Sequence, residues 1–343
     1  MAPRWSVGSP ACLTTGGFPS IPARESALDS MSERRGRRWG RLVLGLSTAI
    51  VVLLGSAWLW LTAREDVPTR SDYRIDLEEL RALANSIPGT KPERVYSELV
   101  AETSLPRAAV FAGASFTAHP MVHQVFQVRW ADGAFLLIDT GFPQQLIERM
   151  SGGTFHADGY AKVLQALQNA RQIVVTHEHF DHLGGVSQFQ PADGLAGRLR
   201  LTSEQLANTK ALDESRIPQA MRKSLTPLAF DRTLAIAPGV ILQKAAGHTP
   251  GSLFVYVQLE SGQEYLFIGD AAWHLDQIRN LHYRPRLVTD FFLGEDRHAV
   301  LAQFRALHDL MQTAPKVVIV VSHDRDQREQ LLSAGLLTDG LRS

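Results

Sequence analysis

Three histidines and an aspartate fall within six residues at His177-Glu178-His179-Phe180-Asp181-His182. Imidazole nitrogens and carboxylate oxygens are the usual ligands of zinc and its borderline neighbours. His177 and His179 are two apart, so in extended backbone they project to one side and can grip one ion. Asp181 and His182 follow where the chain is expected to turn into a helix, which aims them at a second position nearby. The preceding Val174-Val175-Thr176 is apolar and β-branched and reads as a buried strand. A solvated loop rich in histidine is the competing reading. It suits a lone histidine better than four ligand-type residues at the end of a buried strand.

The HxHxDH pattern resembles the signature of the metallo-β-lactamase fold superfamily, and the family's other stations follow in order. They are His248 in Gly247-His248-Thr249-Pro250-Gly251-Ser252, Asp270 in Phe267-Ile268-Gly269-Asp270, and His323 in Val320-Val321-Ser322-His323-Asp324. Upstream, Ile138-Asp139-Thr140-Gly141 matches the family's first motif. The resemblance spans roughly residues 105 to 330 and implies an α/β fold, the αββα sandwich. It further implies that His177, His179 and His248 hold one metal, that Asp181, His182 and His323 hold a second, and that Asp270 bridges them. Asp139 takes the role of orienting those ligands by hydrogen bonding. Two divalent ions are the implied cofactor, zinc first, with manganese or iron as alternatives. Two such ions share a water and lower its pKa, which leaves a bridging hydroxide ready at neutral pH. Asp181 and Asp270 are then the candidate catalytic carboxylates, carrying the proton to the leaving group.

Ligand identity narrows the branch. Aspartate at 270 departs from the cysteine of many true β-lactamases of this fold, and histidine at 179 departs from the HxExDH of the di-iron flavoproteins. Thioesterases of the glyoxalase II type, N-acyl homoserine lactone lactonases and phosphodiesterases share the full set. His323-Asp324-Arg325-Asp326-Gln327 and Asp270-Ala271-Ala272-Trp273 are similar to lactonase sequences, although Trp273 stands where those enzymes carry a tyrosine that contacts the lactone. The expectation is a hydrolase of an ester-like bond in a small molecule, a lactone first, with a thioesterase or phosphodiesterase as the alternative. A non-catalytic metal-binding module fits poorly, since no ligand is missing. Trp273 and His274 are candidate pocket residues. The histidines outside the motifs, His123 among them, read as solvated or core.

These ligands need a scaffold, and the chain of 343 residues, 45% hydrophobic, can supply one. Gln124–Trp130, Phe135–Ile138, Val240–Ala245, Leu253–Leu259, Tyr265–Ile268 and Lys316–Val321 read as strands, with helices over 160–170 and 296–313. In both halves the ligands sit where strands stop and loops start. The stretch 208–230 lacks clear periodicity and reads as a loop on the substrate side. Asp76 can cap a helix from Leu77 that stops before Pro88-Gly89.

The 35 basic and 35 acidic side chains balance, which gives no reason to expect nucleic acid as a partner. Cys12 is the single cysteine, so no disulfide within the chain and no cysteine metal site exist. From Leu42 to Ala63 no charge occurs. As a helix this run measures about 33 Å, enough for a hydrocarbon core of about 30 Å. Arg34, Arg35, Arg37, Arg38 and Arg41 precede it, which places the N-terminus in the cytoplasm and the rest across the membrane. The run is longer than a signal-peptide core, and an uncleaved anchor is expected. The expected organisation is thus a cytoplasmic segment (1–41), a transmembrane anchor (42–63), a tether and helical lead-in (64–104) and a hydrolase domain (105–343). That domain would face the periplasm or cell exterior from the inner membrane. Residues 1–30 have no apolar periodicity, and Met31 is an alternative start.

Overall fold

The computed structural model describes residues 25–150 and 152–342; Cys12 and the tract before Glu25 lie outside them. The chain divides into two compact units, Met1–Trp58 and Leu59–Ser343. In the first, the described residues are helical, part of a helix that runs from Glu25 to Thr62. This helix starts well before Leu42, because arginine is a good helix former and no proline interrupts 33–41, so five arginines outweigh Gly36 and Gly40. Its stretch Glu33–Thr62 is long and apolar enough to cross a membrane, a property that signal sequences share.

The second unit is built on twelve strands: β1 Arg94–Pro106, β2 Ala118–Arg129, β3 Phe135–Ile138, β4 Thr154–Phe155, β5 Gln172–Val174, β6 Leu199–Arg200, β7 Thr233–Ala237, β8 Val240–Lys244, β9 Leu253–Gln258, β10 Glu264–Phe267, β11 Val317–Val320 and β12 Thr338–Asp339. They form a seven-stranded sheet, ordered β12-β1-β2-β3-β5-β6 with β4 also on β1, and a five-stranded sheet, ordered β11-β10-β9-β8-β7.

The period-2 alternation of side chains explains the layering. Phe126, Val128, Leu136, Ile138 and Val174 from the first sheet meet Val240, Leu242, Leu253, Val255, Val257 and Phe267 from the second. Phe126 and Phe267 touch across this interface, with ring centroids 4.9 Å apart. The intervening residues face the opposite way. Val125, Leu137 and Ile173 pack against Tyr160, Val163 and Leu167 of the helix Ala157–Asn169. On the other flank Ile241, Phe254, Tyr256 and Leu266 pack against Val300, Phe304 and Leu307 of the helix Arg297–Thr313. The result is helix, sheet, sheet, helix: the αββα sandwich.

Two expectations need correction. The hydrolase body does not begin at residue 105. β1 starts at Arg94 and pairs with β2 along nearly its whole length, while Leu80 and Ala84 of the helix Leu77–Ala84 are part of the second sheet's outer core. The helix of the lead-in thus packs on the scaffold, and residues 94–104 are part of β1. The stretch 208–230 is likewise no plain loop, since it holds the helices Thr209–Glu214 and Gln219–Ser224.

Candidate metal centre

All the metal-ligand candidates come to one end of the sandwich, in two groups: His177, His179 and His248, then Asp181, His182, Asp270 and His323. Within each group the donor atoms lie within 4.8 Å of one another. The loop that delivers His182 is clasped by the loop after β3. Thr140 donates to the His182 carbonyl through N at 2.7 Å and through Oγ1 at 2.8 Å, and Gly185 N donates to Gly141 O at 2.7 Å. A Cβ on Gly185 would stand 1.9 Å from the Thr140 carbonyl oxygen, so only glycine permits this approach.

Asp139 has a left-handed backbone, φ 64°, which aspartate tolerates better than most residues. Its carboxylate accepts from Thr176 N at 2.7 Å and from Thr176 Oγ1 at 3.0 Å, and it meets His182 Nδ1 at 2.9 Å. His323 Nδ1 donates to the Val122 carbonyl at 2.8 Å, and His248 Nδ1 meets Glu295 at 2.6 Å. Because each Nδ1 faces an oxygen acceptor, the neutral form of each ring turns its Nε2 lone pair inward.

Inward, the donors crowd without complementary protons. His179 Nδ1 lies 3.1 Å from His177 Nε2 and 3.0 Å from His248 Nε2. Tetrahedral zinc, with bonds of about 2.0–2.1 Å, holds its nitrogens about 3.3 Å apart. Asp270 spans both groups. Its Oδ1 is 2.9 Å from His323 Nε2 and 3.2 Å from His182 Nε2, and its Oδ2 is 3.6 Å from His248 Nε2 and 3.9 Å from His177 Nε2. Oδ1 is buried and has no hydrogen-bond partner. Converging lone pairs beside an orphaned carboxylate oxygen fit a pair of cations.

The electrostatics differ between the groups. Burial, reinforced by the neighbouring His182, holds His177 well below the usual imidazole range, and burial brings His179 to about 4. Burial also opposes charge on His182, but Asp181, Asp139 and Asp270 together raise it well above 6.5. His323 is raised against burial by Asp270 and Asp181. Those histidines in turn outweigh burial at Asp181 and Asp270 and hold both carboxyls down. Protons must therefore leave the second group as a cation enters. Metal content measured by elemental analysis should approach two per chain at about pH 8 and fall toward about pH 5, the second group emptying first. A stable value of one with full activity would remove the two-ion reading.

A cavity of about 530 Å³ opens over the centre. Asp181, Asp270, His179 and His323 contribute to it, together with an apolar wall that includes Leu105, Met121, Trp273, Val288, Phe292 and Leu293. Trp273 lines this cavity and is also held in place. Its Nε1 donates to Asp270 Oδ2 at 2.8 Å, and the Arg284 guanidinium lies over its ring at 4.5 Å. His274, expected in the pocket, is not among the lining residues. Its Nδ1 accepts from Asp276 N at 3.1 Å and so caps the helix Leu275–Arg279. Asp324 caps the helix Arg325–Ser333 and accepts from Leu275 N at 2.7 Å.

Several residues around the centre escaped the sequence reading. His123, read as solvated or core, lines the cavity with Nδ1 3.4 Å from Asp181 Oδ2. Burial pushes its imidazole down to about 4. Glu178, inside the HxHxDH run, turns away from the donors and accepts from Asn208 Nδ2 and Thr249 Oγ1, tying two ligand loops together. Glu295 and Arg284 are buried and paired at 2.6 Å, and Tyr283 donates its hydroxyl to the same carboxylate. The one signal for His123 is its place among Met121, Val122 and Val125, in a strand that also carries His119, Gln124 and Gln127. Arg284 and Glu295 had none.

The family model described as the metallo-beta-lactamase superfamily matches residues 121–323, more than half of the chain. An N-acyl homoserine lactonase from a Bacillus species is 23% identical over 208 residues, 56% of this chain and 77% of that protein. A second, from Bacillus thuringiensis, is 23% identical over 210 residues, 57% and 78% of the two chains. Among solved structures, an N-acyl homoserine lactone hydrolase with N-hexanoyl-L-homoserine bound at its catalytic metal centre superposes with a TM-score of 0.56 at 16% identity. That match covers 70% of this chain and 97% of the other. A quorum-quenching N-acyl homoserine lactone lactonase gives 0.55 at 16% identity, covering 71% and 97%. At such identity the structural likeness concerns the fold.

Proposed function

The chain belongs to the metallo-β-lactamase superfamily, and from that premise we propose that it is a membrane-anchored, two-metal hydrolase of a lactone. The observation that carries this is Asp270, one oxygen toward each group of donors, on the floor of a cavity whose wall is mainly apolar. His177, His179 and His248 would hold one ion, and Asp181, His182 and His323 the other, with Asp270 between. Two divalent ions there supply an acidified water and a Lewis acid for the carbonyl oxygen.

The chain's own residues do the rest. Asp139, Glu295 and the Val122 carbonyl fix the ring orientation of His182, His248 and His323. Asp181 and Asp270 both reach the cavity, so a carboxylate is at hand to take the water's proton and return it to the leaving oxygen. Neutral His123 beside Asp181 Oδ2 keeps that carboxylate placed. Leu105, Met121 and Val288 offer an acyl chain an apolar wall that also excludes water.

The lactonase relatives support the substrate class. The test is the full chain in detergent, metal-loaded, assayed side by side on an N-acyl homoserine lactone, a thioester, a phosphodiester and a β-lactam. Lactone turnover is expected. Thioester turnover without lactone turnover replaces this reading with the thioesterase one.

Trp273 separates pocket from core. Trp273→Phe keeps most of the apolar contact and removes the N–H to Asp270, so kcat should fall by about tenfold with KM little changed. Trp273→Ala should also raise KM and cost about 3–5 kcal/mol of stability. Kinetics and thermal melting on the pair read both effects, and an unchanged kcat in Trp273→Phe denies the tryptophan any hold on Asp270.

The arginines before Leu42 support an orientation with the N-terminus in the cytoplasm and the hydrolase unit across the membrane. A reporter that works only in the cytoplasm, fused after Ser343, should stay silent; a strong signal overturns the placement.

A further inference from the structure

Among the described residues outside the helix Glu25–Thr62, the large hydrophobic side chains left exposed are Phe116, Phe291 and Phe292, at 74%, 67% and 79%. Isolated exposed phenylalanines are ordinary, but these share one neighbourhood. Phe292 and Leu293 line the cavity over the metal centre, so the residue most open to solvent is also part of the cavity wall. Phe116 sits in the loop between Val110 and β2, and that loop's Phe111 and Ala114 belong to the same apolar cluster as Val288 and Leu293. The rim of the cavity is thus apolar outward as well as inward.

The end of the long apolar helix is fastened to the same segment. Arg286, five residues before Phe291, lies over the Trp60 ring at 4.9 Å. Glu65 pairs with Arg286 at 2.7 Å and with Arg297 at 2.5 Å. Arg64 donates to the carbonyls of Asn280 and Leu281 at 3.0 and 3.3 Å. Leu59–Thr62, the helix's last turn, lies in the same compact unit as these partners. A tryptophan and an arginine at the end of an apolar helix are the usual pair at the headgroup level of a bilayer. Four polar links thus hold the helix end to residues 280–297, the stretch that carries Phe291 and Phe292.

We infer that Phe291 and Phe292 seat the cavity mouth on a phospholipid bilayer, so that the centre takes its substrate, an amphiphile with a long acyl chain, from the membrane. The inference deepens the proposed reading and rests on it for the chemistry and for the membrane anchor, while the place of the docking surface stands on Phe291, Phe292 and the links of the helix end. A lipid surface suits exposed Phe291 and Phe292, close in sequence to residues that hold the end of a helix long and apolar enough to cross a membrane, better than a protein groove would.

The docking is tested without catalysis. Phe291→Cys in a Cys12→Ser background, labelled with an environment-sensitive fluorophore, is placed as the full chain in vesicles of phosphatidylcholine and phosphatidylglycerol. Nitroxide-labelled phosphatidylcholine should quench the probe strongly. A probe that stays in water, or one whose emission shifts to the blue yet ignores the nitroxide as in a protein interface, overturns the docking. Delivery is tested with Phe291→Ser, a residue outside the cavity lining. In the same vesicles its kcat/KM on a membrane-partitioned long-chain lactone should drop by about tenfold, with turnover of a soluble short-chain lactone unchanged. An unchanged kcat/KM on the long-chain lactone overturns delivery. Quenching in a protein that hydrolyses no lactone leaves the docking in place and removes the substrate reading instead.

Discussion

Asp270→Asn is expected to lower turnover by about three orders of magnitude or more, with the melting temperature changed by only a few degrees. The carboxylate is the one group that addresses both sets of donors. Oδ1 sits 2.9 Å from His323 Nε2, and Oδ2 sits 3.6 Å from His248 Nε2. Asparagine keeps the volume but deletes the charge, and its amide turns a donor toward nitrogens whose lone pairs point inward. Trp273 Nε1 can still donate if the remaining oxygen takes the Oδ2 place, so the local packing survives. The sheets that fold the unit meet at Phe126, Val255 and Phe267, in a cluster separate from this carboxylate. Elemental analysis beside kinetics reads the cause: metal content should fall below two as the rate falls. A variant within tenfold of the wild-type rate at full metal content would show that no bridging charge is needed.

Glu295→Gln is expected to cost about 3–5 kcal/mol of stability, because it strands a buried cation. Arg284 is fully buried. Its Nη2 meets Glu295 Oε1 at 2.6 Å and donates to the Asp270 carbonyl at 3.0 Å, while Nε and Nη1 have no partner. Burial disfavours the charged form of Glu295, and Arg284 with His248 more than compensates, so the carboxylate is held below its ordinary range. With the charge gone, the melting temperature should drop on the order of 10 °C. Glu295→Gln combined with Arg284→Met should recover much of the loss, since no unpaired charge remains. If the double variant melts no higher than the single one, the damage lies in His248, whose ring Glu295 also orients. Thermal melting of the three proteins decides between pair and ring.

The candidate donors that cluster in the fold were legible because metal-ligating chemistry is written in residue type, and strand ends are written in local periodicity. His177 and His179 follow an apolar run that becomes β5 and its continuation, and His323 follows one that becomes β11. Phe135–Ile138 agrees residue for residue with β3. The helix at Leu77 begins where Asp76 caps it, accepting from Glu78 N and Glu79 N. Each of these signals is complete within about a dozen neighbouring residues, which is all that a periodicity can carry.

Tertiary structure decided what depends on partners far along the chain. β1 went unread because Ser97, Glu98 and Glu102 interrupt its apolar pattern. In the fold Ser97 donates to Gln124 at 2.7 Å, and Glu98 accepts from Lys162 at 3.2 Å and from Leu341 N at 2.8 Å. A polar side chain can be buried once it is paired, and no local pattern names the partner. Arg284 and Glu295 look like surface charges in sequence and are the buried brace of the metal centre for the same reason. His123 faces Asp181 only because β2 runs beside the loops that carry the ligands. Trp273 was a pocket candidate in sequence, and the fold makes it cavity wall and packed side chain at once, since one edge of its ring meets Asp270 and the cavity opens beside it. Residue type named the chemistry of this protein, and the packing of two sheets chose the groups that hold that chemistry in place.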